Sequence, residues 1–411
     1  MHRQTAAEAG EHTRVLIYSH DSFGLGHLRR CRAIAESLVQ RHREVSILIL
    51  SGSPLIGRFE FPARVDFVRI PGVIKLRSGE YSSHSLDMDI QDVSELRRAI
   101  IRHTAEAFRP HVFIVDKEPL GLRGEISDTL SLLSKAGTRI VLGLRDVMDE
   151  PSQLAAEWER KQVAPSLSTL YNEIWVYGLP QVCRPLDGLS LPQAVHDKVQ
   201  YTGYIQRRLP ASNGQAAAAP FTEPYVLVMT GGGGDGNDLI DWVLRAYEHD
   251  SDAIGQPALL LFGPFMPAPE REAFRARVDR LDRVEALTFE AHVETLITQA
   301  SSIVAMGGYN TFCEILSFDK PALVVPRRIP RLEQFIRASR AEELGLISML
   351  SDLDGTEASR MVDALCALAD AVSPSNVVVP GLLDGLENIN RLFDQQIRIA
   401  QAGAPLEVET L

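Results

Sequence analysis

The sequence predicts two doubly wound α/β domains that face each other across a cleft. Short apolar runs alternate with helical segments in both halves of the chain, which is typical of parallel sheets covered by helices on both faces. The length of 411 residues suits two hydrophobic cores better than one. Between the halves, residues 207–224 show no hydrophobic period and are rich in Pro and Ala, which is typical of a linker.

The pattern predicts individual elements in each half. In the first half, helices are predicted at 27–41 and 93–108, and strands at 15–18, 45–50, 65–70, 112–115, 139–144 and 174–177. In the second half, strands are predicted at 225–229, 258–262, 284–288, 303–305 and 322–325, with helices at 239–247, 268–278, 293–300, 309–317, 331–344 and 381–399. The resulting domains are 1–206 and 225–380, joined by the linker 207–224 and followed by a terminal segment, 381–411.

The bulk properties exclude several classes of function. A net charge of −12 argues against a protein that neutralises a nucleic-acid backbone. The four cysteines form no CxxC pair, so zinc and redox motifs are not indicated. Because the chain starts with a polar segment and has no long apolar stretch, we expect no transmembrane segment and a cytoplasmic location. The arginine clusters at 29–32 and 327–331 are compatible with solvated surface or with a binding role.

The densest chemical signal is a glycine-rich loop between a predicted strand and a predicted helix. Five of the seven residues 230–236 are glycines. Glycines allow the backbone amides to approach an anion, and the helix N-terminus adds partial positive charge. A merely flexible turn is the alternative, and no Walker A lysine follows. The residues of this loop that are predicted to bind the nucleotide are Gly231, Gly232, Gly233, Gly234 and Asp235.

Two further strand ends in the second half carry polar residues. The turn Met306-Gly307-Gly308 precedes a helix that Asn310 or Thr311 is expected to cap. Glu314 lies in the first turns of that helix, where it either complements the helix dipole or binds ribose hydroxyls. After the next strand, Glu333 and Gln334 are candidates for hydrogen bonds to a sugar, or for an exposed helical turn.

The first half has a matching loop after its first strand. Gly24 and Gly26 permit close approach of a ligand, and His27 begins the following helix. A histidine at the positive end of a helix tends to stay neutral, which suits a general base. Asp116 closes another strand and is expected either to orient His27 or only to cap a loop. Asp21 and Asp116 are the further candidates for the base. Glu118 and Arg145 lie at strand ends on the same edge of the sheet, and we expect them on the side of the cleft where His27 lies.

Together these segments resemble the MurG-like GT-B glycosyltransferases and, more narrowly, a bacterial group of predicted glycosyltransferases. The residues that carry the resemblance are the loop 24–27, the glycine loop 230–236, and the run 288–344 with its motifs Phe289-Glu290-Ala291-His292, Met306-Gly307-Gly308, Glu314-Ile315-Leu316 and Gln334.

The resemblance implies a fold of two Rossmann-like domains with the final helix packed back on the first. It implies that the backbone of Glu290, Ala291 and His292 contacts uracil, and that the turn 306–308 lies beside the diphosphate. Glu314 would hold the ribose and Gln334 the donor sugar, whereas His27 would lie near the acceptor. The family commonly has paired glutamines where this chain has Glu333-Gln334, so the identity of the sugar is open. Neither a metal nor another cofactor is expected.

The function that follows is transfer of a sugar from a nucleoside diphosphate sugar, with UDP expected, to a hydroxyl or amine acceptor with inversion of configuration. A nucleotide-sugar hydrolase or epimerase, or a non-catalytic binding protein, is the alternative, because one fold supports all three. The polar insertion at 75–92 is expected to form the acceptor loop, or else a surface loop. The acceptor, the oligomeric state and any peripheral membrane contact are open.

Overall fold

The computed structural model describes residues 12–20, 26–75, 81–209, 220–290 and 292–403. The strands of the N-terminal half are β1 (Thr13–Ser19), β2 (Val45–Ser51), β3 (Val65–Arg69), β4 (Val73–Lys75), β5 (Tyr81–Ser83), β6 (Val112–Asp116), β7 (Arg139–Arg145), β8 (Glu173–Tyr177) and β9 (Val199–Tyr201). Its helices are α1 (Gly26–Arg41), α2 (Ile90–Phe108), α3 (Ser127–Lys135), α4 (Pro151–Arg160), α5 (Val163–Thr169) and α6 (Gln193–His196).

The C-terminal half repeats this alternation. Its strands are β10 (Val226–Met229), β11 (Ala258–Leu261), β12 (Val284–Leu287), β13 (Ser302–Ala305), β14 (Ala322–Val324) and β15 (Ser348–Met349). Its helices are α7 (Asn237–Ile254), α8 (Ala268–Val278), α9 (Val293–Gln299), α10 (Tyr309–Ser317), α11 (Glu333–Glu343), α12 (Ala358–Leu368) and α13 (Gly385–Gly403). The predicted fold class, two Rossmann-like α/β domains, is confirmed.

Each half contains one large parallel sheet whose strand order reverses near its first strand. The N-terminal sheet has the order β3-β2-β1-β6-β7-β8-β9, and the C-terminal sheet has the order β12-β11-β10-β13-β14-β15. In the N-terminal sheet β2 and β6 therefore lie on opposite sides of β1, and in the C-terminal sheet β11 and β13 lie on opposite sides of β10. This reversal opens a crevice at the carboxyl ends of the strands. All four strands at the two reversal points, β1, β6, β10 and β13, are buried along most or all of their length, as expected for sheets covered on both faces.

The terminal helix α13 packs against the N-terminal sheet. Gln396 Oε1 accepts a hydrogen bond of 2.8 Å from Arg139 Nε at the start of β7. Asn390 Nδ2 donates to Ser37 Oγ of α1 at 2.8 Å. The chain thus crosses from the C-terminal sheet back to the N-terminal one before it ends. The boundaries near 206, 225 and 381 stay predictions, because residues 210–219 of the linker lie outside the described residues.

Several local predictions need correction. The insertion at 75–92 is not one long loop: β5 pairs with β4 as an antiparallel hairpin, and α2 already begins at Ile90. The cap of α2 is Asp89, whose carboxylate accepts from the amide of Gln91. The short strands β9 and β15 have too few residues to show a hydrophobic period and are absent from the prediction. Among the described residues, no helix has both the length and the apolar character needed to span a membrane.

The entry of α13 generates a stability prediction. A Cβ atom on Gly385 would lie 2.4 Å from the carbonyl oxygen of Tyr204, a backbone atom that cannot move independently. We expect Gly385→Ala to lower the free energy of unfolding by roughly 1–3 kcal/mol, the usual cost of overpacking. Gly57→Ala is the matched control, since a Cβ there would meet nothing within 4 Å. Urea unfolding of both variants measures the difference, and equal stabilities would contradict the prediction.

Candidate active site

A cavity of about 310 Å³ lies between the carboxyl ends of the two sheets. Both halves of the chain contribute to its wall, so an occupant would touch both domains. From the N-terminal half the lining residues are Gly26, His27, Arg29, Arg30 and Arg145. From the C-terminal half they include Gly231, Gly232, Gly234, Asp235, Phe289, Glu290, Met306, Gly308, Asn310, Thr311, Arg327, Glu333 and Gln334.

The glycine loop 230–236 is held in one conformation by tight packing against the next strand end. Gly231 and Gly233 have positive φ angles of 69° and 85°, which favour glycine. A Cβ on Gly233 would lie 2.1 Å from the carbonyl oxygen of Phe262. Thr230 Oγ1 anchors the start of the loop by donating to that same oxygen at 2.7 Å. Gly231, by contrast, has open space around its missing Cβ and faces the cavity.

The second glycine turn joins the donor side to the N-terminal half. Gly308 caps α10 with its backbone, so the expectation that Asn310 or Thr311 would cap this helix is wrong. Asn310 instead donates from Nδ2 to the carbonyl oxygen of Gly26 at 2.9 Å and accepts from Arg207 Nη2 at 2.6 Å. Asn310 is therefore a contact between the domains as well as part of the cavity wall.

Glu314 is fully buried and does not line the cavity. Arg29 of α1 lies over it, with Nη2 at 2.6 Å from Glu314 Oε1 and 2.7 Å from Glu294 Oε1. Burial raises the pKa of Glu314 although Arg29 counteracts this. The predicted ribose ligand is thus covered by a cation of the other domain, and a ribose could reach it only after Arg29 moves.

His27 and Asp116 form a hydrogen-bonded pair at the N-terminal wall. His27 Nδ1 lies 2.5 Å from Asp116 Oδ2, so the neutral imidazole donates from Nδ1 and keeps Nε2 to accept a proton. Arg30 donates to both oxygens of Asp116 at 2.8 and 2.7 Å, which fixes the carboxylate. The position of Arg30, one turn after His27 on α1, lets one carboxylate bind both.

Burial sets the charge states of these groups. It lowers the pKa of His27 to about 4, although Asp116 opposes the shift. The neighbouring His20, whose ring centre lies 5.6 Å from that of His27, has its pKa lowered to about 3 by burial. Burial raises the pKa of Asp116, but the charges of Arg30 and His27 outweigh this and bring it to about 2. At neutral pH the pair is therefore a neutral imidazole on a carboxylate.

Arg327 gathers the polar residues of the third strand end. Its Nη2 donates to Glu333 Oε1 at 2.9 Å, and its backbone amide donates to Gln334 Oε1 at 3.2 Å. Its guanidinium also forms an ion pair with Asp235 of the glycine loop. Sequence reasoning did not select Arg327, because an arginine cluster is also typical of solvated surface.

Arg337 joins the two sheets across the cleft. Its guanidinium donates to both oxygens of Asp146 at 2.7 and 2.6 Å, and all of these atoms are buried. It also donates to the carbonyl oxygen of Gly307 at 2.9 Å. Gly307 has φ of 78° and packs against Val324, so it supports the turn from behind the cavity wall. Neither Arg337 nor Asp146 was singled out from the sequence.

The structure brings most predicted site residues to one cavity, with several exceptions. Gly233, Gly307, His292, Glu314, Asp116 and Glu118 stand behind the lining rather than in it. Glu118 accepts a hydrogen bond of 3.0 Å from Lys161, and His292 is the N-cap residue of α9. The predicted residues Asp21, Gly24 and Ala291 lie outside the described residues. Arg29 and Arg30 were not selected as individual residues, and their signals were the arginine cluster 29–32 and its position directly after the loop 24–27.

Comparison with known proteins agrees with this geometry. Residues 226–361 match the model of the glycosyltransferase family 28 C-terminal domain. An uncharacterized glycosyltransferase of Methanosarcina mazei is 24% identical over 349 residues, which are 80% of this chain and 83% of the relative. One of Methanosarcina acetivorans is 23% identical over 396 residues, 91% of this chain and 96% of the relative.

Solved structures share the fold at lower identity. The calicheamicin glycosyltransferase CalG4 superposes with a TM-score of 0.59 at 17% identity, covering 96% of this chain and 100% of its own. A UGT transferase of Siraitia grosvenorii, solved in complex with UDP, gives 0.57 at 14% identity over 94% and 100% of the two chains. The glycosyltransferase VinC in complex with dTDP gives 0.56 at 17% identity over 95% and 100%.

The matched domain and the relatives support a glycosyltransferase, and the solved structures share its GT-B fold. The match of residues 226–361 to the family 28 C-terminal domain is compatible with the MurG-like resemblance. The expectation of two Rossmann-like domains in the GT-B arrangement is confirmed.

The two buried histidines generate a pH prediction. Unfolded histidines bind protons below their ordinary pKa of 6.5, whereas folded His27 does so only near pH 4 and folded His20 near pH 3. The unfolded state therefore binds more protons in this window, and the free energy of unfolding should fall as the pH drops below 6.5. Urea unfolding between about pH 7 and 5 measures the slope. The double variant His20→Gln with His27→Gln should flatten the slope, and an unchanged slope would refute this assignment.

Proposed function

We propose that the protein transfers a sugar from a nucleoside diphosphate sugar to a hydroxyl or amine acceptor, with inversion and without a metal ion. The observation that carries this is the shared cavity: His27 of one domain, held from behind by Asp116, and two glycine turns of the other domain face the same space of about 310 Å³. UDP is the expected nucleotide. The complexes of the Siraitia grosvenorii enzyme with UDP and of VinC with dTDP support a nucleoside diphosphate on this fold.

The donor would lie against the C-terminal domain. Gly231 and Gly308 line the cavity in the turns that lead into α7 and α10, where backbone amides and helix dipoles favour the negative diphosphate. Glu290 lines the same wall and would contact the nucleobase, while Glu333 and Gln334 would bind the sugar hydroxyls. When the bond to the sugar breaks, these fixed dipoles would stabilise the charge that develops on the leaving diphosphate.

The acceptor would be activated from the N-terminal wall. His27 Nε2 takes the proton from the acceptor as its oxygen or nitrogen forms the new bond to the anomeric carbon and the bond from that carbon to the diphosphate breaks. Attack from the face opposite the leaving group inverts the configuration. Asp116, held by Arg30, keeps the proton on Nδ1 before transfer and stabilises the imidazolium afterwards. The low pKa of His27 keeps it neutral, and thus able to accept a proton, at physiological pH.

His27→Ala should lower the turnover number by roughly 10²–10⁴-fold, the usual contribution of a general base. Donor affinity should change little, since the proposed UDP contacts belong to the other domain. Steady-state kinetics with an acceptor found by screening, together with UDP calorimetry, separates the two effects. His103→Ala is the matched control, because the His103 side chain is 76% exposed on α2. Near-full turnover in His27→Ala would move the base to another group, with Asp21 the next to test.

The ribose contact is tested by a pair of variants on one ion pair. Glu314→Ala should weaken UDP binding by roughly 1.5–3 kcal/mol, the range for hydrogen bonds to a charged group. Arg29→Ala should strengthen UDP binding, because it removes the cation that covers Glu314. Calorimetry gives both affinities, and thermal unfolding checks that each variant folds. Unchanged affinity in a folded Glu314→Ala protein would contradict the ribose assignment.

Two measurements separate the alternatives. Incubation with UDP-sugar in the absence of acceptor distinguishes the transferase from a hydrolase or epimerase, which would release free sugar or form the epimer at the full catalytic rate. Transfer in the presence of a chelator tests metal independence, and activity restored only by a divalent ion would overturn that part of the proposal. A non-catalytic binding protein would bind the donor but would show no turnover with any acceptor that is tested.

A further inference from the structure

Two cations at the carboxyl end of the N-terminal sheet lack a close carboxylate partner among the described residues. Arg145 ends β7 and lines the cavity, and its buried Nε has no hydrogen-bond partner in the described part of the chain. Lys117 directly follows β6, and its ion-pair contact with Glu118 spans 3.8 Å. The other arginines of this wall differ, since Arg30 is bound to Asp116.

The backbone of Lys117 is held in a strained conformation by its surroundings. Its φ of 69° places a non-glycine residue in the left-handed region, a strained conformation that often marks functional sites. The strain is held by a 2.7 Å hydrogen bond from its amide to the carbonyl oxygen of Gly143. Burial and the charge of Arg145 lower the pKa of Lys117 to about 8, so the ammonium stays mostly charged at neutral pH. Glu118, which lies 3.8 Å from Lys117 Nζ, is already bound by Lys161.

The two cations lie beside the catalytic pair. In the sheet register Asp116 of β6 pairs with Gly143 of β7. Lys117 and Arg145 therefore lie at the same edge of the sheet, at the ends of neighbouring strands. Neighbouring strands are about 4.8 Å apart. Arg145 lines the same cavity as His27, and Lys117 directly follows Asp116, the partner of His27, so a group that they bind would share the cavity with an acceptor atom that reacts at His27.

We propose that Arg145 and Lys117 bind an anionic group, a phosphate or a carboxylate, carried by the sugar acceptor. The inference deepens the proposed transferase function and rests on it. The planar guanidinium of Arg145 matches the two oxygens of such a group, and the unpaired Nε supplies a donor that nothing else in the described structure uses. Lys117 adds a second positive charge from the adjacent strand.

The charges across the cleft favour the acceptor over the donor as the source of this anion. Glu333 lies close enough to Arg145 to influence its pKa, and it stands where the donor sugar is placed. An acidic donor sugar would thus bring a second carboxylate beside Glu333, which like-charge repulsion disfavours. The donor diphosphate, in turn, has its own site at the glycine turns of the other domain.

The test uses the full chain saturated with UDP, so that the diphosphate site is occupied. Inorganic phosphate and, separately, acetate are titrated at constant ionic strength, and the shift of the thermal unfolding midpoint reports binding. We expect saturable stabilisation in the wild type and affinity reduced roughly tenfold or more in Arg145→Gln and Lys117→Gln. Arg145→Lys, which keeps the charge, should retain part of the affinity. Arg328→Gln, which removes an exposed charge that does not line the cavity, is the matched control and should bind like the wild type.

Each outcome decides the inference. Equal phosphate and acetate binding in wild type and Arg145→Gln overturns the anion site. A loss confined to UDP-glucuronate relative to UDP-glucose in Arg145→Gln assigns the anion to the donor sugar and overturns the acceptor assignment. Failure of UDP itself to bind overturns the proposed function, whereas UDP binding without Arg145-dependent anion binding overturns only this inference. In the acceptor screen, phosphorylated or carboxylated acceptors should lose turnover in Arg145→Gln more than neutral ones do.

Discussion

The buried carboxylate of Asp146 holds the two domains in the arrangement on which the cavity depends. It accepts two hydrogen bonds from Arg337 of the C-terminal domain and one of 2.8 Å from Tyr204. Breaking a buried ion pair by removing one partner typically costs about 3–5 kcal/mol, because the remaining charge stays buried. The same guanidinium binds the carbonyl of Gly307, so one interaction fixes both the domain arrangement and the donor-side turn.

The charged groups around the cavity differ in whether they already have a partner within the protein. Asp116 with Arg30, and Asp146 with Arg337, form closed sets that keep their geometry whatever occupies the cleft. Arg29 on Glu314 is different, since it joins the domains at the place proposed for a ligand. Arg145 has no such partner in the described residues. The two closed ion pairs hold the site in shape, whereas the Arg29–Glu314 pair and Arg145 are the groups that a substrate would contact.

The candidate site was predictable from the sequence to the extent that it lies at strand ends. A glycine turn after an apolar strand leaves little choice of conformation, and parallel strands bring their carboxyl ends to one edge. Gly231, Gly308 and His27 therefore reach the same cavity, as predicted. The arginines were not predictable, because an arginine on a helix looks the same in sequence whether it faces solvent or a buried carboxylate of another element. Arg337 and Asp146 are 191 positions apart, and only the packed structure pairs them.

By itself, the sequence determined the two parallel sheets, the turns that end their strands and the residue types offered to the cleft. These follow from local rules, namely hydrophobic period, glycine conformation and helix starts, that act over a few residues. The tertiary structure alone decided which offered groups are free to meet a ligand. It covered Glu314 with Arg29, turned Asn310 into a contact with Gly26, and left Arg145 open to the cavity. Burial and charge pairing depend on elements far apart in the chain, so no local pattern records them.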